Sequence, residues 1–198
     1  MTTTDVRPSE SRLARRITDW LEPKNWIIAV TLLVGWHTAQ WAGVAWSVVG
    51  ALFAAVIPIT FIKYGIRKGH WGDRHVGAKP ARLVVMAVIL LSVATGIVLM
   101  LVARAPRTMV ALIVSMLVTL AILAAITLVW KISVHQAVSA GACAMLVQTY
   151  GLWMALGFLL VAIVGWSRVE LRDHTRNQVV AGTILGAIVA AAVFHLAR

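Results

Sequence analysis

Acidic side chains and cysteine are scarce in this chain. Only seven of its 198 residues are Asp or Glu and only Cys143 is a cysteine, against 18 Lys and Arg. A single cysteine excludes a disulfide framework and a thiolate metal site. Beyond residues 1–25 the acids are Asp73, Glu170 and Asp173, too few and too scattered for a two-metal carboxylate site. We therefore expect neither a metal nor a cofactor.

Long apolar runs dominate the chain instead. The sequence is 61% hydrophobic with a mean hydropathy of +0.88, which predicts a polytopic integral membrane protein. The predicted fold is an all-α bundle of six to seven transmembrane helices over residues 26–198, preceded by a polar, basic tail at residues 1–25. The net charge of +11 lies in the tail and loops. It therefore indicates a lipid bilayer as partner, not nucleic acid.

Breaks in the apolar runs predict the helix boundaries. For residues 11–21 we prefer a solvated tail over a short amphipathic helix on the membrane surface. Residues 26–66 are long enough for two helices, with a break predicted in residues 37–43. Small residues on the last helix predict a closely packed face. The remaining helices are predicted at residues 83–103, 108–130, 133–148, 152–166 and 174–197.

Three charged segments fall between these helices, at residues 67–82, 131–135 and 167–178. An even number of helices separates them, so we expect all three on one membrane face. The three segments carry five, one and three Lys and Arg residues, in chain order, and the tail carries five more. Together they hold 14 of the 18 Lys and Arg in the chain. The positive-inside rule then places this face in the cytoplasm.

The third charged segment has the spacing of an anion site. His174 and Gln178, four residues apart, would share one face of a helix. Arg168 can join them only if residues 167–173 form a loop, with Asp173 as N-cap of a helix that begins at His174. A guanidinium, an imidazole and a helix N-terminus directed at one point would bind phosphate.

Ser167-Arg168, five residues and then His174 resemble the third signature of the type 2 phosphatidic acid phosphatase (PAP2) superfamily. In that family the histidine attacks phosphorus and the arginine holds phosphate oxygens. The resemblance therefore implies that His174 is the nucleophile and Arg168 its catalytic partner. The family usually has Asp four residues after this histidine, where this chain has Gln178. We expect Gln178 to orient His174.

The second charged segment resembles the family's second signature, Pro-Ser-Gly-His. Ser133 and His135 match it, while Ile132 and Val134 depart from it. The resemblance implies that Ser133 binds phosphate and that His135 protonates the leaving group, since imidazole titrates near neutral pH. Lys131 is a further candidate phosphate ligand. In addition, Ser133 with Gln three positions later predicts a capping box.

The first signature, Lys, six residues and Arg-Pro, has no literal match. In its place the chain has a loop with several basic residues after Asp73. By resemblance, Lys79 and Arg82 are the predicted phosphate-binding residues, with Arg74 next. Asp73 is expected to orient His75 or pair with an arginine.

The family resemblance implies a metal-independent lipid phosphatase of a bacterial plasma membrane. It would hydrolyse a phosphomonoester or pyrophosphate of a phospholipid or polyprenyl lipid through a phosphohistidine. Two alternatives are a non-hydrolytic lipid-phosphate-binding protein and a phosphoryl or lipid transferase of the same fold. The substrate partner in each case is a membrane lipid phosphate.

Overall fold

A computed structural model describes residues 11–70 and 79–198, without the side chains of Lys79 and Arg82. Within those ranges the chain is helical and contains no strand, which confirms the all-α prediction. A π-helical turn at Leu52–Val56 joins α2 to α3, and a 3-10 helix at Leu152–Gly157 precedes α7. The α-helices are α1 Arg12–Trp20, α2 Pro23–Ala51, α3 Ile57–Arg67, α4 Lys79–Val102, α5 Arg107–Thr127, α6 Val134–Tyr150, α7 Phe158–Glu170 and α8 Arg176–Ala197.

The described part of the chain contains five helical stretches long and apolar enough to cross a membrane. This agrees with an integral membrane protein. The helix α6, with 17 residues, is not among them and lies inside the bundle, where it packs against α2, α5, α7 and α8. The five stretches are Arg12–Arg67, Leu83–Val102, Arg107–Thr127, Leu152–Glu170 and Arg176–Ala197.

The first of these stretches is folded back on itself. The backbone of α2 leaves helical geometry at Gln40, with φ of 46° and ψ of −123°, inside the predicted window. A Cβ atom on Gly43 would lie 1.8 Å from the carbonyl oxygen of Gly35, so the two arms touch through their backbones. The prediction of two helices with a break between them is confirmed.

The turn of this hairpin lies at the end of the bundle where α6 ends. The ring of His37 lies 4.9 Å from the ring of Tyr150, and the Tyr150 hydroxyl donates to the carbonyl of Leu33. The first turn of α5 and the last turns of α6 and α8 meet here as well. Arg107, the first residue of α5, donates to the carbonyl of Ala197 in α8. His37 is therefore distant from the histidines at the start of α6 and α8.

The segment before α2 is not a solvated tail. It forms α1, capped by the Ser11 side chain, and packs against α7 through a 3.0 Å hydrogen bond between the buried hydroxyls of Thr18 and Ser167. The preferred prediction for residues 11–20 was wrong. The alternative of a short amphipathic helix gave the correct secondary structure, and its exposed side chains include Trp20.

Among the described residues, the helices α6 and α8 make the most extensive contact between two helices. A Cβ atom on Gly186 would lie 2.1 Å from the carbonyl oxygen of Ala137, and one on Gly182 would lie 2.6 Å from that of Ser133. The predicted small-residue face of the last helix is therefore its contact with α6. This contact fixes the start of α8 beside the start of α6.

Replacing Gly186 by Ala should destabilise the protein by about 1–3 kcal/mol, because a methyl group would force the α6 backbone away. The measurement is the midpoint of thermal unfolding in detergent. Gly50→Ala is the matched control. Its added methyl group would meet only the end of the flexible Ile113 side chain at 2.8 Å, and alanine is the better helix former. Equal midpoints for the two variants would contradict the close contact.

Candidate functional site

The start of α6 is held by α8. Ser133 is the N-cap residue, and its backbone N–H donates to the carbonyl of Gln178 over 3.3 Å. The predicted capping box is absent, because the Gln136 amide donates to the carbonyl of Val161 instead. The Ser133 hydroxyl is fully buried and makes no hydrogen bond within the described residues. A buried hydroxyl without a hydrogen-bond partner is uncommon in proteins.

The end of α7 brings Arg168 and His174 together. The predicted loop was wrong, since the helix continues to Glu170. Arg172 then takes a left-handed conformation, with φ of 55°. The N–H groups of Asp173 and His174 donate to the carbonyl of Arg168 over 3.1 and 3.2 Å. The N–H of Arg172 donates to the carbonyl of Val169 over 2.9 Å, and together with the bond from Asp173 this forms a Schellman end, which normally has glycine at the left-handed position.

The start of α8 is displaced from its predicted place. The helix begins at Arg176, and Thr175 is its N-cap in a capping box with Gln178. Asp173 lies two residues before this N-cap, and its carboxylate pairs with Arg168. The prediction of Asp173 as N-cap was therefore wrong.

The capping box determines how Gln178 meets His174. The backbone N–H of Thr175 donates to Gln178 Oε1 over 3.1 Å, so the amide oxygen, not the nitrogen, must face this side. The same oxygen lies 3.2 Å from His174 Nδ1. An acceptor at that distance favours the tautomer with its proton on Nδ1, which leaves the lone pair on Nε2.

The arginine of the site is buried and ion-paired. Arg168 is 3% exposed, and its Nη2 lies 3.1 Å from Asp173 Oδ2. The Lys131 ammonium donates to the backbone carbonyl of Asp173 over 2.5 Å. Asp173 therefore holds both cations at the junction of α7 and α8.

These groups line one end of a cavity of about 330 Å³ inside the bundle. Its polar end is formed by Lys131, His135, Arg168, Asp173 and His174. The structure thus brings together the second and third charged segments, as predicted. Ser133 and Gln178 lie behind this surface and do not line the cavity.

Sequence reasoning missed two residues at the same end of the cavity. Glu22, only 5% exposed, forms an ion pair with Lys24, and both line the cavity. Both lie in the polar, basic tail predicted at residues 1–25. Pro23 indicates in the sequence that a helix begins at this point, because proline is favoured at the first position of a helix and α2 begins there.

The first charged segment is described at its two ends, residues 67–70 and 79–82. Asp73 and Arg74 lie outside the described residues. Lys79 and Arg82 belong to the first turn of α4, and Val85 and Met86 follow in the cavity wall. The backbone of α4 therefore begins near the polar end of the cavity.

The charges of the site fit an anion. Three cations, Lys24, Lys131 and Arg168, face the carboxylates of Glu22 and Asp173. In the described ranges, no three His, Cys, Asp or Glu side chains cluster closely enough to hold a metal ion. A guanidinium beside an ammonium is instead suited to phosphate or carboxylate.

Comparisons of the chain with protein-family models, with curated proteins and with solved structures find no match in any of the three. The functional argument therefore depends on the geometry of the cavity and on the chemistry of the residues at its polar end.

Replacing Arg172 by Gly should raise the midpoint of thermal unfolding by about 2 °C, because glycine takes the left-handed conformation without a Cβ clash. Arg172→Gln keeps the Cβ atom while removing the charge, and should leave the midpoint unchanged. If the glutamine variant gained as much as the glycine variant, relief of charge repulsion and not of backbone strain would be responsible.

Proposed function

We propose that this protein is a metal-independent membrane lipid phosphatase of the PAP2 type. It hydrolyses a phosphomonoester or pyrophosphate of a phospholipid or polyprenyl lipid. One observation supports the proposal above all. The imidazole of His174 is fixed at Nδ1 by Gln178. It lies at the polar end of an apolar cavity, together with His135 and the buried guanidinium of Arg168. An amphiphile with a phosphate head group matches both parts of this cavity.

The proposed reaction proceeds in two steps. In the first, the Nε2 lone pair of His174 attacks phosphorus in line, and the bond from phosphorus to the lipid oxygen breaks. His135 gives a proton to that oxygen as it leaves. In the second step water gives a proton to His135 and attacks the phosphohistidine, which releases phosphate and restores both imidazoles.

Cations stabilise the charge on the transferring phosphoryl group. Arg168 and Lys131 are placed for this role by the contacts that Asp173 makes with each. Lys79, Arg82 and Arg74 are the expected further ligands from the first charged segment. Ser133 would contribute only if its buried hydroxyl reached the cavity.

Asp173 is a positioning residue in this proposal. Its carboxylate holds one edge of the Arg168 guanidinium at 3.1 Å. A guanidinium offers five donors in a planar fork, so one edge can keep the carboxylate while another binds a phosphate oxygen. The ion pair thus fixes the guanidinium before the substrate arrives.

The membrane face of the site is also part of the proposal. The basic residues gather at the end of the bundle where the cavity has its polar groups, and few lie at the other end. By the positive-inside rule this end faces the cytoplasm. The substrate phosphate would then lie in the cytoplasmic leaflet.

One observation favours a second candidate, a lipid-phosphate-binding protein without turnover. The group that holds His174 is an amide, which cannot stabilise positive charge on the imidazole as a carboxylate does. The pocket would bind a lipid phosphate equally well with a slow nucleophile. Binding without phosphate release is the result that would distinguish this candidate.

Purified protein in detergent with excess chelator should release phosphate from lipid phosphates, and His174→Ala should abolish the release. The variant removes the nucleophile, so a loss of at least about 10³-fold is expected. His195→Ala is the matched control, because His195 is exposed in the last turn of α8. Its activity should equal that of the unmodified protein. Release that persists in His174→Ala would contradict the proposal.

Changing Gln178 should alter kcat more than KM. Gln178→Leu removes the acceptor at His174 Nδ1 and should lower kcat by about 10- to 100-fold. Gln178→Glu keeps an acceptor at the same reach, preserves the capping box and adds a charge that stabilises the positive charge developing on His174 in the transition state, so kcat should rise. Steady-state kinetics on one lipid phosphate measure both.

Asn177→Leu, at the exposed neighbouring position, controls for a general effect on the first turn of α8. It should leave kcat unchanged. If Gln178→Leu were equally harmless, the contact with His174 would have no part in turnover.

A further inference from the structure

The apolar part of the cavity lies between the helices, beneath the site. Its walls come from α2, the π-helical turn, α3, α4, α5, α6 and α8, and the residues that line it far from the polar end include Met145 and Ala190. Along α6 it extends from His135 to Met145, about 15 Å at the rise of an α-helix. A narrow apolar space therefore extends from the polar groups into the interior of the protein.

The π-helical turn at Leu52–Val56 shapes one wall of this space. It presents Ala54 and Ala55 to the cavity, and Pro58 follows in the same wall. Short side chains at these positions leave room that larger ones would fill. π-Helical turns inside α-helices are frequent at functional sites.

The helix α4 holds this turn in place. Its Ser92 hydroxyl donates to the carbonyl of Phe53 over 2.7 Å. A Cβ atom on Gly96 would lie 2.7 Å from the Phe53 Cβ atom, so Phe53 packs against the bare backbone of α4. These contacts fix Phe53 and turn the two following alanines toward the cavity. Protein interiors are usually closely packed, and here the contacts between Phe53 and α4 keep larger side chains out of this wall.

The chemistry of the walls selects an apolar occupant. The one hydroxyl among the deep lining residues, that of Thr119, already donates to the carbonyl of Ser115 over 2.7 Å. The cations Lys131 and Arg168 lie at the opposite end of the same space. An occupant that matches both ends has an anionic head and an apolar chain.

The size of the cavity limits the number of chains. About 330 Å³ is near the lower end of the range of roughly 300–1,000 Å³ for ligand sites. We propose that the cavity receives one apolar chain of the substrate inside the helix bundle, so that single-chain phosphate esters are preferred over two-chain phospholipids. This inference rests on the proposed phosphatase function and identifies its substrate class.

The test compares a prenyl monophosphate, a two-chain phosphatidic acid and a water-soluble aryl phosphate. The unmodified protein should show a kcat/KM at least about tenfold higher for the prenyl ester than for phosphatidic acid. Ala55→Leu and Val93→Phe fill the cavity from two walls. Each should lower the prenyl value by at least about tenfold while leaving the aryl value within about twofold. Ala45→Leu, an exposed alanine of α2, should change neither.

A second measurement does not depend on turnover. A single-chain alkyl phosphonate with a photoreactive group at the chain end is crosslinked to the protein, and the labelled residues are identified by mass spectrometry. Labelling at Met145 or Ala190 supports the internal chain site even if no phosphate is released, in which case the phosphatase function alone fails. Labelling confined to exposed outer positions, or equal hydrolysis of one-chain and two-chain esters, overturns the inference.

Discussion

The backbone contact between α6 and α8 determines the rest of the site. Gly182 and Gly186 let the two helices approach until a single methyl group would not fit between them. At that separation the N–H of Ser133 reaches the carbonyl of Gln178, and the first turns of both helices lie side by side. Because helices are stiff, small residues one turn apart fix the positions of polar groups two turns away. His135 and His174 share one cavity for this reason.

The polar end of the cavity is arranged by helix ends. The Schellman end of α7 and the capping box of α8 satisfy the backbone and leave His174 between them. The buried charge of Arg168 is compensated by Asp173 from the same turn. Burying a guanidinium is costly without a partner, so this pairing allows it to lie beside an apolar space.

Much of the fold could be predicted from the sequence because apolar runs, small-residue faces and polar interruptions report directly on burial. The break at Gln40 and the packing face of α8 are examples. The end of α7 could not be predicted, because a left-handed arginine occupies the position where glycine is the usual signal. The N-cap of α8 is Thr175 and not the predicted Asp173 for the same reason. Glu22 was missed because its burial depends on α1 packing against α7, a long-range contact with no local pattern.

The hydrogen bond between Thr18 and Ser167 joins segments 149 residues apart in the chain. Chains are synthesised from the N-terminus at about 5–20 residues per second, so about 7–30 seconds separate the synthesis of Thr18 from that of Ser167. The polar end of the cavity is therefore completed only in the last stage of biogenesis, when α7 and α8 enter the bilayer. A nascent chain arrested before that stage would have most of the apolar walls, Lys131 and His135, but neither Arg168 nor His174.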